Sequence, residues 1–236
     1  MRRFLFPLLF VVSWSIGCPS PSLRTGETLE SGQFGMSAGI NFAIPELGPD
    51  APEPAPIDVF NGFGFVVDFT LGLPAGCEAT AGFRTMTTPL FAEARCGLFQ
   101  ERRGDGLSLA PGAGIGWSVI APEGELPIEL RGWVDVSKKL GGAISPLMRV
   151  EYARGPMLRH KYRGTRGLHS EQGPYVLVPS SAGRLNVTLG AAVHIPNGDD
   201  LFDAVLVGVT PYWVLHTEDE ELPTEGWGGS LGFRFQ

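Results

Sequence analysis

The sequence predicts an all-β protein, an antiparallel up-and-down barrel of about ten strands, within a range of about 8 to 12. Three observations predict this fold. Apolar and polar residues alternate with a period of two along most of the chain from residue 33 onward. Glycine and proline are frequent, with 33 and 20 residues and no collagen-like period, which is typical of many short strands and turns. Short turns and longer loops alternate between the predicted strands.

The N-terminus has the pattern of a targeting segment. Arg2 and Arg3 precede an apolar run over 4–12, which continues to Gly17. This run is too short to span a bilayer as a stable helix, so the pattern predicts a signal peptide over residues 1–17. Elsewhere the sequence has no stretch that approaches the ~20 apolar residues of a transmembrane helix. Export through the inner membrane is therefore predicted.

Residues 15–18 resemble the lipobox of bacterial lipoproteins, although Ser15 stands where that family usually has Leu. The resemblance implies that Cys18 is lipidated and becomes the mature N-terminus. Ordinary signal-peptidase cleavage after Ser15 and Gly17 is the alternative, and the sequence leaves both open. The polar stretch that follows predicts a flexible tether over residues 18–32.

Residues 33–236 form one predicted domain, the barrel. Its pattern is clear near residue 187, where Leu185, Val187 and Leu189 alternate with Asn186 and Thr188. Most of the strands predicted in this way have the length that crosses a bilayer when tilted. Their ranges are 33–45, 61–73, 76–86, 89–102, 105–120, 126–139, 142–154, 180–196, 201–217 and 226–236.

The predicted connections are short at one end of the barrel and longer at the other. The short turns are at 74–76, 103–104, 141–142 and 197–199. The longer connections are at 46–60, 121–125, 155–179 and 217–225, with one short link near 87–88. This alternation implies an even number of strands with both termini at the same end.

The last predicted strand, 228–236, carries Leu231, Phe233 and Phe235 on one face. Together with the alternating connections, it gives the chain a resemblance to the small single-chain outer-membrane β-barrel proteins of Gram-negative bacteria. The resemblance implies a monomer in contact with outer-membrane lipids, with lipopolysaccharide among the candidate partners. It also implies recognition of the last strand by the barrel-assembly machinery. That signal usually ends in Phe, whereas Gln236 follows Phe235 here.

Three prolines fall inside predicted strands. Pro111, Pro146 and Pro211 each remove a hydrogen bond from the strand ladder. A closed barrel has no edge strand to hold them, so bulges or shifted strand boundaries are expected at these positions.

The polar face of the barrel is rich in Gly, Ser and Arg and nearly free of Lys. If this face lines a narrow lumen, its acids and arginines form charge-assisted pairs, and the small residues leave room for them. The predicted ion network consists of Asp68, Glu78, Arg84, Glu93, Arg95, Glu129, Arg131, Asp135, Arg149, Glu151 and Arg234. A soluble lipocalin-like barrel, with its apolar face inside, is the alternative.

Cys77 and Cys96 stand opposite each other on the outward face if strands three and four form a hairpin around residues 86–87. Opposed residues approach to ~4.5 Å between Cα atoms, within the range of a disulfide, and an exported pair is readily oxidised. Two free thiols are the alternative, and the residues do not decide between them.

A basic stretch falls in the predicted loop 155–179. Its Arg159, Lys161, Arg163 and Arg166 suit the phosphates of lipopolysaccharide or the acidic loop 217–225. The alternative is that both loops are merely solvated connections.

No catalytic, metal or cofactor motif is recognisable in the sequence. His194 has inward parity, but no Ser or Cys nucleophile stands at a recognisable spacing from it. No cofactor is therefore predicted, and the chain is not expected to be an enzyme. Its net charge of −7, without a basic stripe, argues against a nucleic-acid partner.

These observations predict an outer-membrane barrel with a structural, adhesive or loop-mediated binding role. One alternative is a small barrel enzyme acting on lipid, or a narrow transporter for an apolar ligand. The other is the soluble periplasmic or cell-surface binding barrel.

Overall fold

The computed structural model describes residues 23–45, 64–84, 89–104, 106–119, 121, 123–141, 143–162, 175–195, 203–217 and 225–235. The predicted signal peptide, Cys18 and the predicted turn 197–199 lie outside these residues. Ten strands are found in the described part of the chain. They are β1 (Phe34–Pro45), β2 (Gly64–Leu73), β3 (Cys77–Arg84), β4 (Leu90–Cys96), β5 (Ser108–Trp117), β6 (Ile128–Ser137), β7 (Ile144–Tyr162), β8 (Tyr175–His194), β9 (Ala204–Thr217) and β10 (Glu225–Phe235).

Each strand pairs antiparallel with its neighbours in the chain, and β1 pairs with β10 to close the barrel. The closing ladder runs from Met36 opposite Phe235 to Pro45 opposite Gly226. The predicted antiparallel up-and-down barrel of about ten strands is therefore confirmed. In the described part of the chain, helix is limited to the short 3₁₀ turns Pro74–Gly76 and Glu101–Arg103, and no helix there is long and apolar enough to cross a membrane.

Strands β7 and β8 are longer than the sequence predicts, and β4 is shorter. Residues 155–162, predicted as loop, pair with 175–182 as the outer part of a β7–β8 hairpin. The charged and glycine-containing sequence of this stretch is typical of a loop, but pairing within the hairpin stabilises it as strand. The predicted strand 89–102 ends instead at Cys96, where Gly97 begins a turn that brings the Gln100 side chain to the lumen.

The prolines fit into the strands without the expected bulges at Pro111 and Pro146, where the register is continuous. In an antiparallel ladder a residue directs its N–H and C=O toward the same neighbouring strand, so proline removes only one hydrogen bond. The carbonyl of Pro146 still accepts from the Lys138 N–H at 3.2 Å. The register shift that does occur lies between Gly183 and Arg184, against β9.

The end of the barrel that holds the start of β1 and the end of β10 is called the terminal rim, and the opposite end the loop rim. The turn from β2 to β3 lies at the terminal rim. Its Ala75 and Gly76 both have positive φ angles, of 62° and 75°, a conformation that glycine adopts without strain. Gly104, with a φ of 92°, has the same role after β4.

The side chains of the wall alternate between two environments. On the outside, Phe65 is 54 % exposed, Leu130 60 % and Val209 54 %. On the inside, Asp68 and Asp135 are fully buried. The polar face therefore lines the lumen, as predicted, and a soluble lipocalin-like barrel has the reverse arrangement.

Candidate functional site

The lumen holds a set of buried charged side chains that the alternation of the strands turns inward. It contains every member of the predicted ion network except Arg234, and it also contains Arg184. The buried charged residues of the wall are Asp68, Glu78, Arg84, Glu93, Arg95, Glu129, Arg131, Asp135, Arg149, Glu151 and Arg184.

Asp135 is the centre of one group of contacts. Arg149 donates to both of its carboxylate oxygens, at 2.6 and 2.8 Å. Arg95 and the Trp133 indole N–H also donate to Oδ2, at 2.9 and 3.0 Å. The guanidinium of Arg149 lies 5.0 Å from the centre of the Trp133 ring, within the range of a cation–π contact.

Glu129 is the centre of a second group. Its carboxylate lies 2.9 Å from Arg131 Nε, 2.7 Å from Arg184 and 3.5 Å from Arg84. Arg131 is also 3.3 Å from Glu93. Chains of charge-assisted contacts of this kind fix the long side chains in place.

Arg234 does not belong to the central network. It lies at the terminal rim, where its Nε donates to Asp203 at 2.6 Å, and both side chains are partly exposed. Arg234 has the inward parity that the sequence predicts, but its position near the end of β10 puts it in the mouth of the barrel. Arg184 was missed, although it shares the inward parity of Asn186 and Thr188, both of which are buried.

Residues 23–29, called the N-terminal segment, lie inside the lumen near the terminal rim. Leu23 is 8 % exposed, Arg24 7 % and Thr28 3 %. A flexible tether was expected over residues 18–32, but residues 23–29 are docked in the lumen. Residues 18–22 lie outside the described residues. A polar composition does not distinguish a solvated tether from a segment that fills a polar lumen, so the sequence alone misses it.

Arg24 anchors this segment. Its NH2 donates to Asp68 at 2.6 Å, and its NH1 donates to Thr80 at 2.6 Å and to Glu78 at 3.1 Å. Both carboxylates belong to the wall, so the segment supplies a cation that the wall itself does not.

The buried charges of the lumen cancel once this cation is counted. Among the described residues, six buried acids face six buried arginines. The acids are Asp68, Glu78, Glu93, Glu129, Asp135 and Glu151, and the arginines are Arg24, Arg84, Arg95, Arg131, Arg149 and Arg184. Without Arg24 the set has one negative charge too many in a site of low dielectric.

Little free space remains around these groups. A Cβ at Gly112 would lie 2.5 Å from the Trp133 ring, and one at Gly114 would lie 2.7 Å from Glu93, so glycine makes room for both side chains. Two small cavities beside the N-terminal segment measure about 20 and 30 Å³, each large enough for one or two water molecules. A larger one, of about 370 Å³, is open at the terminal rim between Leu29 and the β2–β3 turn. Among the described residues, the lumen around the buried charges is thus packed.

His194 has a partner that its spacing in the sequence did not reveal. Its Nε2 lies 2.9 Å from the Ser145 hydroxyl, because β7 and β8 place the two side chains on adjacent inward positions. Ser145 is 4 % exposed and lies on the lumen side of the wall. The apolar exterior is on the other side of the same strands.

The remaining predicted site residues fall into two places. Cys77 and Cys96 stand directly opposite each other on β3 and β4 and form a disulfide, with Cα atoms 3.9 Å apart. Arg159 and Lys161 lie in β7 and not in a loop, while Arg163 and Arg166 lie outside the described residues. No cluster of three or more potential metal ligands is found among the described residues.

No protein-family model and no curated protein matches the chain. Solved outer-membrane barrels align with most of it. The crystal structure of Neisserial surface protein A (NspA) is 11 % identical, with a TM-score of 0.37, over 86 % of this chain and 96 % of that chain. The N-terminal β-barrel domain of Pseudomonas aeruginosa OprF is 8 % identical, with a TM-score of 0.35, over 88 % and 98 %.

The attachment invasion locus protein Ail of Yersinia pestis, in complex with the heparin analogue sucrose octasulfate, is 9 % identical, with a TM-score of 0.33, over 87 % and 97 %. These identities and TM-scores are too low to carry an argument. The strand pairing and the burial of the chain itself show a closed barrel with an apolar exterior.

Proposed function

We propose that the chain is an integral protein of the bacterial outer membrane with a structural or adhesive role. The observation that carries this proposal is the polarity of the wall, which is apolar outside and charged inside. Exposed side chains such as Phe65 and Val209 would cost free energy in water but are stable against lipid. The packed, electrically balanced part of the lumen that the described residues form argues against a wide pore.

The distribution of tryptophan supports a membrane position. Trp117, Trp213 and Trp227 are all exposed on the exterior, and they lie toward the loop rim. Aromatic residues of this kind form girdles at the membrane interface. With the termini in the periplasm, the loop rim would face the outside of the cell.

The closed ladder suits a monomer, because it has no free strand edge for a second chain to extend. The outward side chains of β10, which include Leu231 and Phe233, would serve as the signal for the barrel-assembly machinery. Lipids of the outer membrane would then contact the apolar exterior directly.

The test of this proposal is fractionation of the full chain, followed by electrophoresis with and without boiling. We expect the protein in the outer-membrane fraction, with a mobility that changes on boiling because a detergent-resistant barrel unfolds. Recovery in a soluble fraction without detergent, with one mobility under both conditions, would contradict the proposal.

The adhesive part of the proposal concerns the β7–β8 hairpin. The last pair between β6 and β7 is Leu130 with Arg154, and β9 pairs with β8 only from Ala182 onward. Residues 155–162 and 175–181 are therefore paired only with each other in the described ladders. Arg159 and Lys161 belong to this part of β7, and together with Arg163 and Arg166, which follow in the sequence, they would be the cations that bind phosphate groups of lipopolysaccharide.

The test is lipopolysaccharide binding by a variant in which Arg159, Lys161, Arg163 and Arg166 are all replaced by Gln. Exposed charges are screened over ~8 Å at physiological ionic strength, so we expect binding by the parent to weaken as salt rises. The variant should bind less at low salt while its stability stays unchanged. Equal binding by both proteins at low salt would show that the hairpin does not bind phosphate.

We further propose that Cys18 carries lipid, which would hold the N-terminus at the membrane surface. The mass of the mature N-terminal peptide tests this directly. A diacylated Cys18 is expected, and a mature chain that begins elsewhere without lipid would contradict it.

A further inference from the structure

The wall of the barrel is complete without the N-terminal segment. All ten strands pair in a closed ring, and residues 23–29 belong to none of them. The segment is instead held by side chains of the wall that contact its backbone. It therefore lies in the lumen as a bound peptide does, and not as an eleventh strand.

Arg95 and Glu78 form one set of these backbone contacts. Arg95 donates from NH1 to the carbonyl of Thr25 at 2.6 Å and from NH2 to the carbonyl of Glu27 at 3.0 Å. Glu78 accepts from the N–H of Leu29 at 2.9 Å. Contacts to alternate carbonyls require that the segment is extended, but they do not depend on which side chains the segment carries.

Gln100 and Ser137 form the second set. The Gln100 amide donates to the carbonyl of Gly26 at 3.1 Å and accepts from the N–H of Thr28 at 3.1 Å. Ser137 accepts from the N–H of Gly26 at 2.9 Å. Backbone donors and acceptors of the segment are thus paired by polar side chains that are all buried.

Two positions of the segment do impose a choice of residue. Arg24 meets the carboxylates of Asp68 and Glu78, so this position selects a guanidinium group. A Cβ at Gly26 would lie 2.5 Å from the backbone carbonyl oxygen of Ser108, so this position selects glycine. The site therefore has a charged pocket and, two residues further along, a place too narrow for any side chain.

We propose that the terminal half of the lumen is a peptide-binding site. Its ligand class is an extended peptide that carries arginine two residues before glycine. Residues 23–29 are the resident ligand, held in cis and exchangeable for another peptide of the same kind.

The experiment begins with the full chain, folded in detergent, with a protease cleavage sequence inserted between Ser31 and Gly32. Both residues are exposed, and they follow the segment. After cleavage the segment is no longer covalently attached, and a fluorescent peptide of the sequence Leu-Arg-Thr-Gly-Glu-Thr-Leu is added. We expect it to replace the resident segment with rising fluorescence anisotropy, and unlabelled peptide should compete.

Two control peptides test the two selective positions. Replacing the arginine by glutamine should weaken binding by about 30-fold or more, because it removes the cation that contacts the buried Asp68, while Glu78 keeps Arg95 at 2.7 Å. Replacing the glycine by leucine should abolish binding. Equal affinity of the glutamine peptide and the parent peptide would overturn the proposed charged pocket.

An uncut full-length chain that carries Gly26→Leu gives an independent measurement. Its own segment cannot dock, so the labelled peptide should bind without any cleavage, whereas the uncut parent should not bind it. If the folded variant fails to bind the peptide, and the cleaved parent retains its segment without exchange, the segment is a permanent part of the fold and the proposal is wrong.

Discussion

Arg149 and Asp135 face each other on β7 and β6 and share two parallel hydrogen bonds, of 2.6 and 2.8 Å. Arg95, on β4, donates to the same carboxylate. Asp135 thus links β4, β6 and β7 of the wall, and its partners Arg149 and Arg95 are both buried.

We expect Arg149→Met to lower the free energy of unfolding by about 3–5 kcal/mol, since it leaves a buried carboxylate with one cation fewer. Urea denaturation followed by tryptophan fluorescence measures this. Arg154→Met, on the same strand but exposed, is the matched control and should change stability by no more than about 0.5 kcal/mol.

A double variant tests the reason for that loss. Arg149→Met combined with Asp135→Asn removes both charges, so it should be less destabilised than the single variant. If Arg149→Met and Arg154→Met behave alike, the inward face is solvated and the lumen is not a site of low dielectric.

The packing of glycine against Trp133 gives a second prediction. Gly112→Val would push a side chain into the indole ring, which lies 2.5 Å from the position of its Cβ, and should cost about 1–3 kcal/mol. At Gly132, on the outward face, the nearest heavy atom to a Cβ is 3.9 Å away, so Gly132→Val should be near neutral. The midpoints of urea unfolding measure both effects. Equal midpoints for the two variants would contradict a packed lumen around Trp133.

The lipid-facing exterior gives a third prediction. Val209 lies in the middle of β9 and is 54 % exposed, so Val209→Arg should destabilise the barrel in bilayers by about 2–4 kcal/mol. Leu126→Arg, in the connection between β5 and β6, replaces a side chain that is 75 % exposed and should have little effect. A harmless Val209→Arg would mean that the exterior faces water.

The fourth prediction concerns the β3–β4 pair. Because Cys77 and Cys96 are opposed in register, peptides linked between these positions should appear in a digest made without reductant. Reduction, or the double variant Cys77→Ser with Cys96→Ser, should lower stability by about 3 kcal/mol for a loop of this length. Quantitative alkylation of both thiols in the native protein would show that the bridge is absent.

The ten strands could be predicted because the alternation of apolar and polar residues can be recognised within each strand by itself. The same parity placed Asp135 and Arg149 inside before any pairing was known. Arg184 was within reach of this reasoning, because it precedes Asn186 and Thr188 at the same spacing.

The buried position of Arg24 could not be predicted from the sequence. Its partners are 44 and 54 residues away, and they come together only through the curvature of the closed wall. The end of β4 at Cys96 could not be predicted for a similar reason. Gln100 lies beyond the strand because its side chain binds the backbone of Gly26 and Thr28. Neither contact leaves a periodic pattern in the chain.

The position of the N-terminal segment has a consequence for the order of assembly. Its partners come from β2 and β3, from the turn after β4, from β6 and, through Arg234 and Thr25, from β10. Only a wall that has already closed offers all of them at once. The segment precedes all ten strands in the chain, yet its residues are therefore among the last to reach their native contacts, and a docked segment indicates a closed barrel.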